Sequence, residues 1–418
     1  MKAASGKAMW ITWHEMKKAI TSPVIVVLLV LFIVFNGFQI FSQSFLRDEL
    51  KIVNDITSSY GNAITEAGLL EMQGDIDGDA EQLGAQQDAE MYLEEMTYEK
   101  YEQVNPAGQK AIDRLSLNYT YYALGMDLEA RYKAIDMEEL RKDLFDAVPM
   151  EGRLAEFMGG QFTKWENRYK EIVETEEYKE WFFAGHYRMH SELFRSLVKN
   201  IAVQSILLVV LITALIANYE VEQRTQFTIY ATKKGRTLIW HKLKACLNVS
   251  LLAFVLLAGC SLGLFFIVYD YSSVWSTAVS SGLNWEYKLP YITWWPLMVW
   301  QYLILVLLVE LFAVLLVAIL AFTVSLYIRN SYFTWVICLS MLIALFLLPS
   351  FLNAFPMLQF IASLNLSLLL MNPHMYFTGG TTFTMIQYFE LWTILLWLII
   401  SLISSGWSIR RFYKRDVA

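Results

Sequence analysis

Long apolar runs interrupt an otherwise mixed chain, and their length sets the first expectation. A bilayer core about 30 Å thick takes roughly 20 apolar residues at ~1.5 Å of helical rise each. Six runs are long enough: Val24–Phe41, Ile201–Ala217, Leu247–Val268, Leu297–Leu320, Tyr332–Leu352 and Leu391–Ile409. The first follows a charged N-terminus, as a signal peptide would. Its 18 uncharged residues are long for that role, and no small-x-small cleavage site follows at Asn36 to Ser44, so a retained helix is predicted.

Before the first run, Trp10, Trp13, Met16 and Ile20 recur every three or four residues, with His14, Glu15, Lys17 and Lys18 around the other side. That spacing predicts an amphipathic helix lying in the membrane interface, which turns into the bilayer at Ser22-Pro23. Between the first two runs, residues 43–196 are dense in Glu, Gln, Met, Leu and Lys, all good helix formers. Asp79–Val104 and Thr163–Glu180 read as helix, with breaks expected at Gly74, Gly78, Pro106 and Pro149. The first and last helices of this region should extend the flanking runs. Asn353–Glu390 is apolar but interrupted by Pro356, Pro373, Gly379 and Gly380. It suits two short re-entrant or surface helices, whose broken backbone needs protein around it.

The fold class expected is an all-α membrane protein with six transmembrane helices, an N-terminal amphipathic helix and a large helical extracellular domain between helices 1 and 2. The organisation is 1–42, the amphipathic helix and helix 1; 43–196, the domain; and 197–418, helices 2 to 6 with a loop at 218–245 and the interrupted segment at 353–390.

Composition sharpens this. With 56% hydrophobic and 17% charged residues, the chain has more apolar side chain than one soluble core would bury, and the excess must face lipid. The net charge of −7 divides unevenly: residues 43–196 hold 16 basic and 32 acidic residues, a balance of −16, which leaves +9 on the rest. Lys and Arg flanking apolar helices are retained in the cytoplasm. Lys17 and Lys18, the stretch from Arg224 to Lys244, Arg329, and Arg410 to Arg415 therefore place both termini and the 218–245 loop inside. Residues 43–196, Tyr269–Pro296 and Asn353–Glu390 fall outside, as in a multi-pass protein of a bacterial cell membrane. The three cysteines, Cys246, Cys260 and Cys338, sit in apolar runs, so no disulfide staples the domain.

Candidate chemistry is sparse. Glu310 lies midway along the fourth run, where a lipid-exposed carboxylate costs about 2.5 to 3.5 kcal/mol. It should face protein, water or a polar partner such as Asn36, Gln39 or Gln204, either as an interhelical hydrogen bond or as a group lining a pathway or sensing protons. No Gly-x-x-x-x-Gly-Lys-Ser/Thr occurs, so no loop cradles a nucleotide phosphate. The Asp75-Ile-Asp-Gly-Asp79 run has Ala80 and Gln86 where a calcium loop needs Gly and Glu, and His186 and His190 lack the adjoining Glu of zinc proteases. No catalytic residue, metal ligand set or resident cofactor is expected, and no nucleic-acid partner.

The arrangement resembles the permease subunits of type V ABC exporters, the ABC type-2 class, over roughly residues 8–42 and 198–415. In that family an elbow helix with an acid, basic residues and a Ser-Pro precedes helix 1, as Glu15, Lys17, Lys18, Ser22 and Pro23 do here. The loop after helix 2 reads acid-x-acid-x-Gly-Thr, a helix, Thr-Pro-x-x-Arg and Gly-Lys-Leu; this chain has Glu220, Glu222, Thr225, Thr232, Arg236, Lys242 and Leu243 in that order. Arg224 replaces the first glycine, Lys233 the proline and His241 the second glycine. The resemblance implies a separate ABC ATP-binding subunit carrying ATP and Mg, a second permease as homodimer or heterodimer, and a peptide, drug or lipid-like cargo. It also implies that Glu222, Thr225, Lys233, Lys234 and Arg236, with Glu15 and Lys18, lie at the ATPase contact. The alternative is a membrane sensor or immunity protein that binds an extracellular ligand through the acidic domain, for which a cationic or amphipathic peptide is the candidate. An intramembrane hydrolase lacks a nucleophile and base pair.

Overall fold

The computed structural model describes residues 2–181, 190–230, 235–282, 291–379 and 383–414. It is all-helical, and among the described residues strand-like pairing is limited to the isolated bridges Ala63–Glu180, Ala278–Met298 and Thr293–Thr378. Among the described residues six helical stretches are long and apolar enough to cross a membrane: Pro23–Ser42, Ser191–Glu222, Gly235–Val268, Val299–Ser325, Ser331–Phe351 and Phe389–Lys414. Each overlaps one of the six apolar runs.

Helix α1, Lys2–Ile20, stops because Ser22 precedes a proline and is held extended, and Pro23 then opens α2, Pro23–Ser42, at the position where its missing N–H costs nothing. A single 3-10 turn at Ser44–Leu46 separates α2 from α3, Arg47–Tyr60. The domain continues through α4 (Glu66–Gln82), α5 (Ala89–Glu94), α6 (Tyr98–Gln103), α7 (Pro106–Lys133), α8 (Met137–Asp146) and α9 (Gly152–Glu174). A π-turn at Ser191–Val198 runs without a break into α10, Lys199–Glu222, so the last helix of the region extends the second span as expected. The rest comprises α11 (Gln226–Tyr230), α12 (Leu238–Val268), α13 (Val299–Ser325), α14 (Ser331–Phe351), the short α15 (Pro356–Ser363) and α16 (Leu366–Met371), and α17 (Phe389–Lys414).

Two expectations about the domain are corrected. Gly74 and Gly78 do not break a helix: α4 runs through both, where each faces open space, and begins at Thr65, whose side chain accepts the Gly68 amide. The expected helix over Asp79–Val104 is instead split, because Asp88 and Thr97 cap new starts on the Met91 and Lys100 amides. Gly125 packs closely in the domain core, where a Cβ would stand 3.1 Å from both Leu69 and Trp181 and push them aside by a few tenths of an ångström.

α10 is the central post of the bundle and packs against α1, α2, α12, α13, α14 and α16. Asn36 and Gln204 exchange reciprocal 2.8 Å amide bonds, and Asn36 also donates to Ser261 at 2.9 Å, so α2, α10 and α12 are locked in mid-bundle. The outward faces are apolar: Val27, Leu31, Val34 and Phe38 on α2 and Ile399, Leu402 and Ile403 on α17 are exposed. Such a surface suits hydrocarbon.

The domain is docked on the loops at one end of the bundle. Asn54 donates to the Asp270 carbonyl at 2.9 Å, Tyr132 to that of Ser280 at 2.8 Å and Arg168 to that of Thr293 at 3.1 Å; Gln161 accepts the Gln387 amide at 3.2 Å. Arg168, almost fully buried, also pairs with Glu177 at 2.6 Å, and Ser280 donates to Glu177 at 2.5 Å. Beside them Glu180 accepts the Ala278 amide at 2.5 Å.

Burial, reinforced by the nearby charge of Glu177 and only partly offset by the Ala278 amide, raises the Glu180 carboxyl from 4.5 to about 7. A carboxyl raised on docking holds its proton more tightly when docked. Its contribution is therefore complete below 4.5 and is lost as pH rises through about 7. Limited proteolysis of the domain in the intact protein should accelerate as pH is raised through that window, and Glu180→Gln should flatten the dependence. An equally steep dependence in the variant would contradict this assignment.

Candidate functional site

At the end of the bundle opposite the domain, four charged side chains from three helices meet. Glu220 lies in the last turn of α10, and Lys242 one turn into α12; each side chain is 1% exposed. Lys242 binds Glu220 and donates to the carbonyls of Ile216 and Ala217, in the last two turns of α10, at 2.8 and 2.9 Å. The other Glu220 oxygen takes Lys18 of α1 at 2.6 Å, and Lys18 takes Glu15 at 2.6 Å. Two acids and two bases thus form a charge-balanced chain, Glu15–Lys18–Glu220–Lys242.

Burial works against the charge of Lys18, but its hydrogen bonds to Glu15 and Glu220 outweigh that and hold the ammonium above its usual value of 10.5. The same ammonium stands 4.6 Å above the Tyr219 ring. Next to it Thr12 of α1 meets His241 of α12 at 2.9 Å.

The expected orientation of α1 is corrected in one respect. Trp10 and Trp13 are exposed, as residues meeting the interface would be, whereas Glu15 is buried with Ala19 against the bundle. The acid that spacing assigned to the solvated side is turned inward instead, where one of its oxygens pairs with Lys18.

Past Glu220 the chain turns sharply. Arg224 has φ +55°, its amide bonds to Val221 at 3.1 Å, and the Thr225 amide bonds to Glu220 at 2.9 Å. These two bonds make a Schellman helix end, in which the left-handed position suits glycine and costs another residue about 1–2 kcal/mol. Arg224 therefore occupies the conformation that a glycine would adopt.

The other expected residues lie nearby. Glu222 accepts the Ser331 amide at 2.7 Å at the start of α14, where a carboxylate complements the helix dipole. Arg236 donates to the Tyr413 carbonyl at 2.5 Å near the end of α17. Arg224, Thr225 and Phe227 are exposed around the turn. Lys233, Lys234 and Thr232 lie outside the described residues. Glu15, Lys18, Glu222, Thr225 and Arg236 thus gather at one end of the bundle.

Glu310 is elsewhere. It is fully buried on α13, and neither carboxyl oxygen has a hydrogen-bond partner among the described residues. The partners expected for it are taken: Asn36 and Gln204 satisfy each other, and Gln39 bonds Glu192 at 2.5 Å and Asn200 at 2.6 Å.

No family model matches the chain, and no curated protein or solved structure matches it. The chemistry of this site is accordingly argued from its own geometry. Its buried charges are paired with one another, and they join α1, the end of α10 and the start of α12.

Sequence reasoning aligned Glu220 and Lys242 with a motif but did not single them out as site residues. The available signal was a charge of each sign just inside the facing ends of consecutive apolar helices. Removing one member of a buried ion pair strands the other and costs about 3–5 kcal/mol. Glu220→Gln should therefore lower stability in a lipid-like detergent by about 3 kcal/mol or more, whereas Glu222→Gln at the exposed neighbour should cost under ~1 kcal/mol. Equal melting shifts for the two variants would refute the network's role.

Proposed function

We propose that the chain is the permease subunit of an ATP-driven ABC exporter. It would work with a separate ATP-binding subunit that carries ATP and Mg, pair with a second permease, and move a peptide, drug or lipid-like cargo. The observation that carries this reading is the buried chain Glu15–Lys18–Glu220–Lys242. It ties the interface helix, the end of the central helix and the start of α12 into one unit. A push on the turn at 223–230 would displace all three together, as a machine powered from outside the chain requires. A helix that merely rested on the membrane surface would have no use for lysines buried in ion pairs.

On this reading the basic residues at that end face the cytoplasm and the acidic domain is extracellular. The ATPase would seat on the exposed turn of Arg224, Thr225 and Phe227, flanked by Glu222 and Arg236, with Lys233 and Lys234 next along the chain. Glu15 and Lys18 would act from behind, through Glu220.

The sensor or immunity-protein reading draws on a different feature. A polar cleft of about 340 Å³ between α3, α4 and α7 is lined by Asp55, Asp75 and Asp79 together with Tyr60 and Arg114. It would suit a cationic side chain of a peptide, but leaves the four-residue network without a purpose.

Reconstituted alone, the chain should hydrolyse no ATP, and it should raise the activity of its ATP-binding partner when the two are combined. Arg224→Glu with Phe227→Ala should weaken that stimulation roughly tenfold, about 1.4 kcal/mol of docking free energy. Hydrolysis by the chain alone, or unchanged stimulation by the double variant, would reject the reading.

A further inference from the structure

Three of the spanning helices leave a slot between them. α13 packs against both α14 and α17, but α14 and α17 barely meet each other, so a wedge opens between them with α13 as its floor. The wedge has a volume of about 500 Å³, within the ~300–1,000 Å³ of sites that bury a small ligand. Its floor carries Ala321 and Val324, one wall Leu342 and Leu345 of α14, and the other wall Trp397, Ile400 and Ser404 of α17. Toward the domain end α16 packs against both walls, and the Trp397 indole donates to the Leu364 carbonyl at 2.9 Å, so the wedge is bridged there. Its other end points to the last turns of α17.

The α17 wall continues past the wedge in the same register. Trp397, Ile400 and Ser404 are followed, at steps of three and four, by Trp407 and Arg411, so all five share one helical face. Trp407 is 61% exposed, and Arg411 is exposed beside it. The Arg411 guanidinium stands 5.9 Å from the Trp407 ring and 5.6 Å from that of Tyr327, which orients it without neutralising it. Tyr327, one turn past Val324, meets Ser408 at 3.0 Å and pins this end of the floor to the α17 wall. Arg329, also exposed, lies in the turn that joins the floor to the α14 wall. Among the described residues neither arginine has an acidic partner, in contrast to Lys18 and Lys242.

Along one line, therefore, come an apolar slot, an exposed tryptophan and an unpaired guanidinium. Ser404 and Arg411 are two turns apart, about 10 Å of helix, a step from hydrocarbon depth to headgroup depth. Tryptophan favours that boundary, and a basic group beside a gap between spanning helices suits an anionic lipid head. A neutral apolar molecule would fill the slot and leave Arg411 unused, whereas a soluble anion would meet Arg411 and leave the slot empty. A phospholipid carries both parts in the required order.

We infer that the wedge between α13, α14 and α17 binds one anionic phospholipid, with an acyl chain between Leu342, Leu345 and Ser404 and the phosphate on Arg411, assisted by Arg329. Such a site needs a bilayer but no ATP-binding partner, so it stands or falls apart from the transport reading.

The full chain in phosphatidylcholine vesicles, doped with phosphatidylglycerol that carries a diazirine near the end of one acyl chain, provides the test, with cross-links located by peptide mass spectrometry. Cross-links should concentrate on α14 around Leu342 and on α17 around Ser404. Unlabelled phosphatidylglycerol should suppress them at roughly tenfold lower content than added phosphatidylcholine. Arg411→Gln with Arg329→Gln should abolish that preference, while Arg410→Gln, on a different face of α17, should keep it. Cross-links spread equally over other lipid-facing helices such as α2, equal competition by the two lipids with the native chain, or cross-links from the wedge to a second copy of this chain in place of lipid would each overturn the assignment.

Discussion

The ion pair of Lys242 with Glu220 is the interaction on which this architecture turns. A lysine and a glutamate, each 1% exposed, are placed where two apolar helices come together, and either alone would be a severe liability. Lys242 also donates to the Ile216 and Ala217 carbonyls of α10, so its ammonium is bound to that helix at three points. The second Glu220 oxygen then becomes the anchor for Lys18, and through Lys18 for Glu15. Helix α1, which packs Met16, Ala19 and Ile20 against the bundle, is tied to it as well by this chain of charge.

The two ends of the bundle are held by different means. At the α1 end the locks are charged and buried, and they connect to a turn whose surface is exposed. At the domain end they are mainly hydrogen bonds from α9 and its neighbours onto loop carbonyls, with Arg168 and Glu177 as the ionic centre. Between them the Asn36–Gln204–Ser261 amide lock fixes α2, α10 and α12 at mid-depth. A displacement at one end can therefore be carried along α10, which touches most of the bundle, to loops gripped by the domain. Glu310 sits on that route, on the helix beside α10.

Much of the fold could be read from the chain because lipid imposes one simple rule on helix length. Six apolar runs became six long helices, and Ser22-Pro23 marked the bend between α1 and α2. The domain was less legible: Gly74 and Gly78 read as breaks, yet helix α4 carries them, since a capped start and one packed face outweigh two exposed glycines. Glu15 read as a solvated charge because periodicity assigns it a side of the helix but cannot say what that side meets. Glu220 and Lys242 are 22 residues apart in sequence and meet only because α10 and α12 are antiparallel neighbours. The isolation of Glu310 was least accessible of all. Asn36 and Gln204 were credible partners for it, and only the packing reveals that they bind each other.

The central claim is that this network exists to receive force from an ATP-hydrolysing partner. The most direct measurement is gentle extraction of the tagged full-length chain from its native membrane, followed by identification and quantification of what accompanies it. The account expects an ATP-binding subunit in near-stoichiometric amount, lost when the exposed turn at Arg224 and Phe227 is altered while the chain itself remains folded. Recovery of the intact chain without any ATP-binding protein would contradict it.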